Sequence, residues 1–460
     1  MSVTRRRFTA ALASLPVARA LAAEPRGWAQ VPDILRRIQA PVFPKRDFLI
    51  TGYGAKPGAD CTEAFAKAIA ACSAAGGGRV VVPEGRYLSG PIHLRGNVNL
   101  HVARGATIAF LTDPARYLPL VFTRWEGMEC MNYSPFIYAF EARNVAITGE
   151  GTLDGQSDNT HWWPWKGRAE YGWKKGDVKQ DKARAALAQM VEDGVPVAKR
   201  VFGEGSYLRP QFVQPYRCEN ALIEGVTIVN SPMWEIHPAL CRNVTVRGVT
   251  VKTHGPNNDG CDPESCRDVL IEKCHFDTGD DCIAIKSGRN ADGRRLHTPS
   301  ENIIVRGCEM KDGHGGVTIG SEISGGCRNV FVEDCRMDSP NLDRVLRLKT
   351  NSVRGGFIED VYLRNVTVGQ VADAVVHVDL FYEEGNTGQH MPVVRNIQVE
   401  RVTCQKMKSV LYLRGYPNAQ IRDVRITDSV FAEAAKPDTV ENVEGLQMRG
   451  VKVNGQSVTR

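Results

Sequence analysis

The chain has 460 residues, 42% of them hydrophobic and 24% charged, which is an ordinary globular composition with ample material for a core. The formal net charge is +6, and four of the positives, Arg5, Arg6, Arg7 and Arg19, fall in residues 1–23, which contain no acid. The remainder is near +2, too neutral for a nucleic-acid surface, so an acidic partner has to be held by local basic residues.

In chain order, Thr4-Arg5-Arg6-Arg7-Phe8, the apolar run Ala10–Ala18 and Ala20-Leu21-Ala22 resemble a twin-arginine export signal with a small-residue cleavage site. Residues 1–23 are therefore expected to be a leader read by the twin-arginine export machinery, and the mature protein to be periplasmic or secreted. No later run is apolar enough to span a membrane. Residues 24–47 read as a proline-bearing linker, and residues 48–460 as a single domain. Asp60-Cys61-Thr62-Glu63 has the pattern of a capping box. The helix it opens, from Ala64 to about Ala75, places Phe65, Ala68, Ile69 and Cys72 on one face and stops at Gly76-Gly77-Gly78.

A repeat then takes over. Nine segments share a polar Asn or Asp start, apolar alternation, a polar kink and a second short strand. They begin near Arg143, Glu219, Arg242, Arg267, Glu301, Arg328, Glu359, Arg395 and Arg422, and from Glu219 onward the spacing is 23 to 36 residues. Short strands at that period, without intervening helices, predict the stacked coils of a parallel β-helix. The early helix then caps its open end, since a bare terminal coil is an unpaired sheet edge. The competing architecture is a β-sandwich or propeller. Thirteen cysteines lack zinc-site spacing; Cys241, Cys266 and Cys327 recur at equivalent places, which suggests core residues in register, with disulfides left open. Between about residues 156 and 207 the repeat is interrupted by Trp162-Trp163-Pro164-Trp165, several lysines and a helical pattern from Gln180 to Asp193. Such an insertion either lines a groove or covers the outside of a sheet.

The chemistry concentrates between His254 and Gly288, where Asp259, Asp262, Asp277, Asp280 and Asp281 fall among short apolar strands. Asp259 and Asp281 are 22 residues apart, close to one coil, so they can stack on one face. Adjacent residues of a regular strand point apart, so for Asp280 and Asp281 to share a groove the chain at Thr278-Gly279 must still be turning. Close carboxylates push each other's pKa values apart, leaving one as an acid and another as a base. Arg347 and Lys349, two apart in a strand, share a face and offer cations for a uronic acid. The bland alternative is a set of turn aspartates that bind calcium or nothing.

The motifs Asn257-Asn258-Asp259-Gly260, Gly279-Asp280-Asp281, Gly313-His314-Gly315 and Arg347-Leu348-Lys349, in that order, resemble those of glycoside hydrolase family 28, the polygalacturonases. The resemblance extends from about Phe48 to near Ala432. It implies a right-handed parallel β-helix. It also implies Asp280 as general acid, Asp259 and Asp281 as the carboxylates that activate water, and His314 as the acid's support. Arg347 and Lys349 become the cations that hold the sugar carboxylate, and Asn257 a further substrate contact. Asn258 stands for Thr and Leu348 for Ile. Retention of the first and third motifs favours a homogalacturonan rather than a rhamnogalacturonan substrate. The expected partner is thus an acidic polysaccharide or oligogalacturonide, hydrolysed with inversion and with no cofactor or metal. The insertion, with Arg124-Trp125-Glu126-Gly127 and Arg354-Gly355-Gly356, resembles exo-acting bacterial members. Its aromatics are expected to stack on sugar and its basic residues to hold a terminal uronate. An endo-acting hydrolase, a calcium-dependent pectate lyase and a non-catalytic polysaccharide-binding β-helix are the alternatives.

Overall fold

The computed structural model describes residues 26–460, so the expected leader lies outside the described residues. Three mainly parallel sheets run along the molecule, and most turns of chain contribute a strand to each of them. The first sheet has 14 strands and the second 13. The third is a three-stranded piece followed by a six-stranded one, bridged by the single pairs Val213–Ile236, Ile236–Cys261 and Cys261–Ile283. This is a parallel β-helix.

The repeated Asn or Asp marks a backbone demand. Asn144, Asn220, Asn243, Asp268, Asn302, Asn329, Asp360, Asn396 and Asp423 all have φ between 53° and 60°, a left-handed conformation these residue types tolerate best among non-glycines. Their side chains stack as a ladder, Asn220 donating to Asn144 at 2.9 Å and Asn243 to Asn220 at 2.6 Å. Behind each turn one inward position repeats coil by coil: Val145, Ala221, Val244, Val269, Ile303, Val330, Val361, Ile397 and Val424 are in register and all are buried. Fully burying such a side chain is worth roughly 1.5–3 kcal/mol, so each coil is stabilised mainly by its neighbours.

All thirteen cysteines are buried and unpaired. Cys218, Cys241 and Cys266 form a column in which the Cys218 N–H donates to Cys241 Sγ and the Cys241 N–H to Cys266 Sγ. Ser300 continues it and pairs in register with Cys327.

Helix α1 spans Val31–Arg37 and α2 Thr62–Ala74. The segment expected to be a linker is therefore partly helical and docked. Val31 and Ile34 of α1 cover Leu270, Ile304, Phe331 and Tyr362, apolar residues on the outer face of the first sheet, and Arg37 pairs with Asp268 at 2.8 Å. Helix α2 closes the N-terminal end with Ala64, Phe65, Ala68, Ile69 and Cys72 buried. Its start is not a reciprocal capping box: Cys61 is the cap position, the Asp60 carboxylate accepts from the Thr62 N–H at 3.0 Å, and Glu63 faces Lys67 instead. Two further helices follow, α3 at Asp181–Glu192 within the insertion and α4 at Asn290–Leu296. Among the described residues no helix is long and apolar enough to cross a membrane.

Candidate active site

The site lies on the outer face of the third sheet, where regular strands give way to single bridges. In the strand Leu346–Lys349, Leu346 and Leu348 point into the core while Arg347 and Lys349 point out. The pairing of Cys261 with Ile283 brings Asp259 alongside Asp281 one coil later. Oxygens of Asp259, Asp280 and Asp281 lie within 4.8 Å of one another.

Asp280 and Asp281 lie on the same side of the chain, because the preceding strand ends at Thr278 and the next begins at Ile283; Asp280 lines the groove and Asp281 lies buried just behind it. Gly279 is needed there for a different reason than turning: a Cβ would lie 2.6 Å from the Gly255 carbonyl oxygen. At Gly313, φ is +151° and a Cβ would meet the Asp280 carbonyl oxygen at 2.6 Å. The glycines beside His314 thus let one coil sit directly on another.

Each carboxylate has a distinct environment. Asp281 is fully buried. Its Oδ1 accepts from Thr318 Oγ1 at 2.7 Å and Arg347 Nη1 at 3.1 Å, and its Oδ2 from Lys349 Nζ at 2.7 Å. Burial alone would raise its pKa, but Lys349 and Arg347 prevail and hold it well below the ordinary carboxylate range. Asp280 Oδ1 accepts the Asp281 N–H at 2.9 Å and lies 3.0 Å from His314 Nδ1. Burial opposes its ionisation too, yet the His314 contact holds it below its usual value, while the same contact raises the imidazole to about 9. Asp259 is pushed up to about 8, first by burial and then by the charge of Asp280. Its Oδ1 has no hydrogen-bond partner. Asp281 is thus held in its ionised form by its two cations, while burial and the Asp280 charge favour the protonated form of Asp259.

Several functional neighbours were not legible as such from sequence. Lys286 is buried and lies 3.7 Å from Asp259, 3.6 Å from Asp262 and 3.3 Å from Glu322. Its ammonium stands 4.4 Å over the Trp234 ring. Burial would lower its pKa, but Glu322 and the two aspartates keep it raised and charged. Tyr382 covers Lys349 and Arg347 at 5.2 and 5.7 Å. Asn258 serves the loop: its amide donates to the carbonyls of Ser231 and Met233, and its oxygen accepts the Gly255 N–H. Asn257 lines the cavity, with its carbonyl oxygen taken by Lys166 at 2.7 Å and Arg209 at 2.9 Å.

Asp259, Asp280, His314, Lys286, Arg347 and Lys349 line a cavity of about 430 Å³. The insertion forms one of its walls rather than a cover on a distant sheet. It touches both banks of the groove: Lys166 reaches Asn257 on one side, while on the other Arg184 of α3 pairs with Glu126 at 2.6 Å and Glu383 at 4.0 Å. Leu187 and Val191 anchor α3 on a cluster with Trp125, Met128 and Trp234. Arg289 and Arg354 tie Glu126, Glu383 and Glu384 into the same bank. Of the insertion's aromatics, expected to stack on sugar, Tyr171 lines the cavity but Trp162 does not. Trp162 is buried against Tyr117, Phe136 and Trp165 at centroid distances of 5.0–5.8 Å and roots the insertion. Tyr171, Tyr382 and Trp234 are the aromatic rings that line the cavity.

Glycosyl hydrolases family 28 matches residues 202–454, more than half of the sequence. The chain belongs to this family. Among family 28 relatives, the hyperthermoactive exopolygalacturonase of Thermotoga maritima is 47% identical and superimposes with a TM-score of 0.90, covering 92% of this chain and 95% of that one. A probable polygalacturonase of Vitis vinifera is 27% identical over 410 residues, 84% of this chain and 74% of the relative. The family 28 exopolygalacturonase of Yersinia enterocolitica, at 20% identity and TM-score 0.69 over 90% of this chain and 80% of that one, shares the fold.

Proposed function

We propose that the protein is an exo-polygalacturonase that hydrolyses the α-1,4-galacturonosidic bond nearest a chain end of polygalacturonate. The observation that carries the exo mode is the insertion reaching both banks beside the carboxylates, since an endo-acting enzyme needs a groove open at both ends. Asp280 protonates the leaving oxygen. Its Oδ1 is engaged by His314 and the Asp281 N–H, leaving Oδ2 to carry the proton to the substrate. The proton that Asp259 holds passes to Asp280, whose oxygen lies within 4.8 Å; as Asp280 gives it to the leaving oxygen and the glycosidic bond breaks, the ionised Asp259 takes a proton from the water that bonds to the anomeric carbon. Asp281, held ionised, fixes that water from the other side.

One oxygen of each carboxylate lies within 4.8 Å of the others, nearer the roughly 5–5.5 Å of retaining pairs than the roughly 6.5–9.5 Å of inverting ones. Inversion nevertheless fits a trio better than a pair, because Asp259 and Asp281 together hold the water while Asp280 acts alone. Calcium-dependent elimination fits poorly, since Lys286, Arg347 and Lys349 already face these carboxylates. Incubation with polygalacturonate should release reducing ends without an unsaturated, ultraviolet-absorbing product, and proton NMR should show the β-anomer first. An unsaturated product or an initial α-anomer refutes the mechanism. We also propose export by the twin-arginine route; normal periplasmic accumulation of an Arg5→Lys/Arg6→Lys precursor would refute it.

A further inference from the structure

The cations around this site are paired with acids, except Lys166 in the insertion and Arg209 just after it. Lys286, Arg289, Arg347, Lys349 and Arg354 each have a carboxylate partner. Arg209 is fully buried, yet its guanidinium donates only to neutral acceptors. These are Gln180 Oε1 at 3.1 Å, the Pro232 and Pro256 carbonyls at 2.7 and 2.6 Å, and Asn257 Oδ1 at 2.9 Å. Lys166 donates to the same Asn257 oxygen at 2.7 Å. Among the described residues neither has a carboxylate within ion-pair distance. Two positive charges thus share one neutral acceptor beside the cavity that Lys166 lines.

Burying charge without a counterion is costly, and two like charges side by side add to that cost. The strain is visible in both groups: burial pushes Arg209 down to about 10, and burial together with Arg209 lowers Lys166. Arg209 is fully buried and its guanidinium already donates to four acceptors. Lys166, on the cavity side, has two donors left. Arg347 and Lys349, by contrast, are already neutralised by Asp281.

We infer that Lys166, backed by Arg209 and oriented by Asn257, is a second carboxylate subsite, which takes the uronate of the sugar lodged against the insertion. This deepens the exo-polygalacturonase reading and rests on it. The subsite explains how a groove closed at one end selects a free terminal uronate: a methyl ester there would leave both cations uncompensated.

The test is equilibrium binding of trigalacturonate, by titration calorimetry at low salt, to Asp280→Asn enzyme with and without Lys166→Met. A second ligand carries a methyl ester on the terminal residue that lodges against the insertion, identified by esterifying either end in turn. Charge-assisted contacts of this kind correspond to about tenfold or more in affinity. Lys166→Met is expected to raise Kd for the free acid at least tenfold. Esterification is expected to cost the Lys166 enzyme as much and the Met variant almost nothing, because both changes remove one interaction. Thermal stability should be unchanged or raised, since an uncompensated charge is gone. An unchanged Kd, or two losses that multiply, overturns the subsite. Binding does not depend on turnover, so failure of the hydrolase reading would show separately, as no reducing-end release by the wild-type enzyme.

Discussion

Gly315→Ala isolates the environment of Asp281 without altering any charged group. The backbone there is not left-handed, so the glycine is required by space alone. A Cβ would press on Thr318 Oγ1 and stand 3.0 Å from Asp281 Oδ1 and 3.3 Å from the Arg347 Cβ. Thr318 is the neighbour able to yield, by rotating its hydroxyl away from Asp281 and giving up the 2.7 Å hydrogen bond. A hydrogen bond to a charged group is worth roughly 1.5–3 kcal/mol, which corresponds to about 10- to 150-fold in kcat/KM if felt fully in the transition state. The assay is reducing-end release from trigalacturonate, with Thr318→Val and the double variant measured beside it. Both single changes remove the same bond, so the double variant should lose little more than either one. Wild-type kcat/KM in Gly315→Ala, or losses that multiply in the double variant, would refute the reasoning.

Asp280→Asn keeps the shape and removes the proton donor; kcat should fall by roughly 10²–10⁴-fold with an unchanged circular dichroism spectrum, and near-normal turnover would remove Asp280 from the acid's role. His314 is raised to about 9 from an ordinary 6.5, so its contribution to stability is fully present below about pH 6.5 and disappears as pH rises through about 9. His314→Gln should therefore lower Tm at pH 6 and converge with wild type above pH 9, and it should move the alkaline limb of kcat/KM; parallel Tm curves across that range would contradict the pairing with Asp280.

What could be read from the sequence was what local chemistry dictates. Asn144, Asn220, Asn243 and Asn302 announce the coils because a left-handed turn restricts the residue that can occupy it. The 22-residue step from Asp259 to Asp281 is one coil, so their adjacency followed from spacing. Lys286 was missed because a charge after Ile283-Ala284-Ile285 looks like a strand end. Its role depends on Asp262 from the coil before and Glu322 from the coil after. The docking of α1 was hidden for a similar reason, since its receptor surface is assembled from four coils, one apolar residue each from Leu270, Ile304, Phe331 and Tyr362. An aromatic cluster in an insertion serves equally as a sugar platform or as an anchor; for Trp162, Tyr117 and Phe136, distant in sequence, decide for the anchor.

The exo mode of attack is tested most directly by the early product pattern from polygalacturonate, followed by anion-exchange chromatography together with solution viscosity. Closure of the groove by the insertion predicts mono- or digalacturonate as the sole early product, with viscosity falling slowly as the chains shorten from one end. A ladder of intermediate oligogalacturonides with rapid loss of viscosity would contradict it and make the enzyme endo-acting.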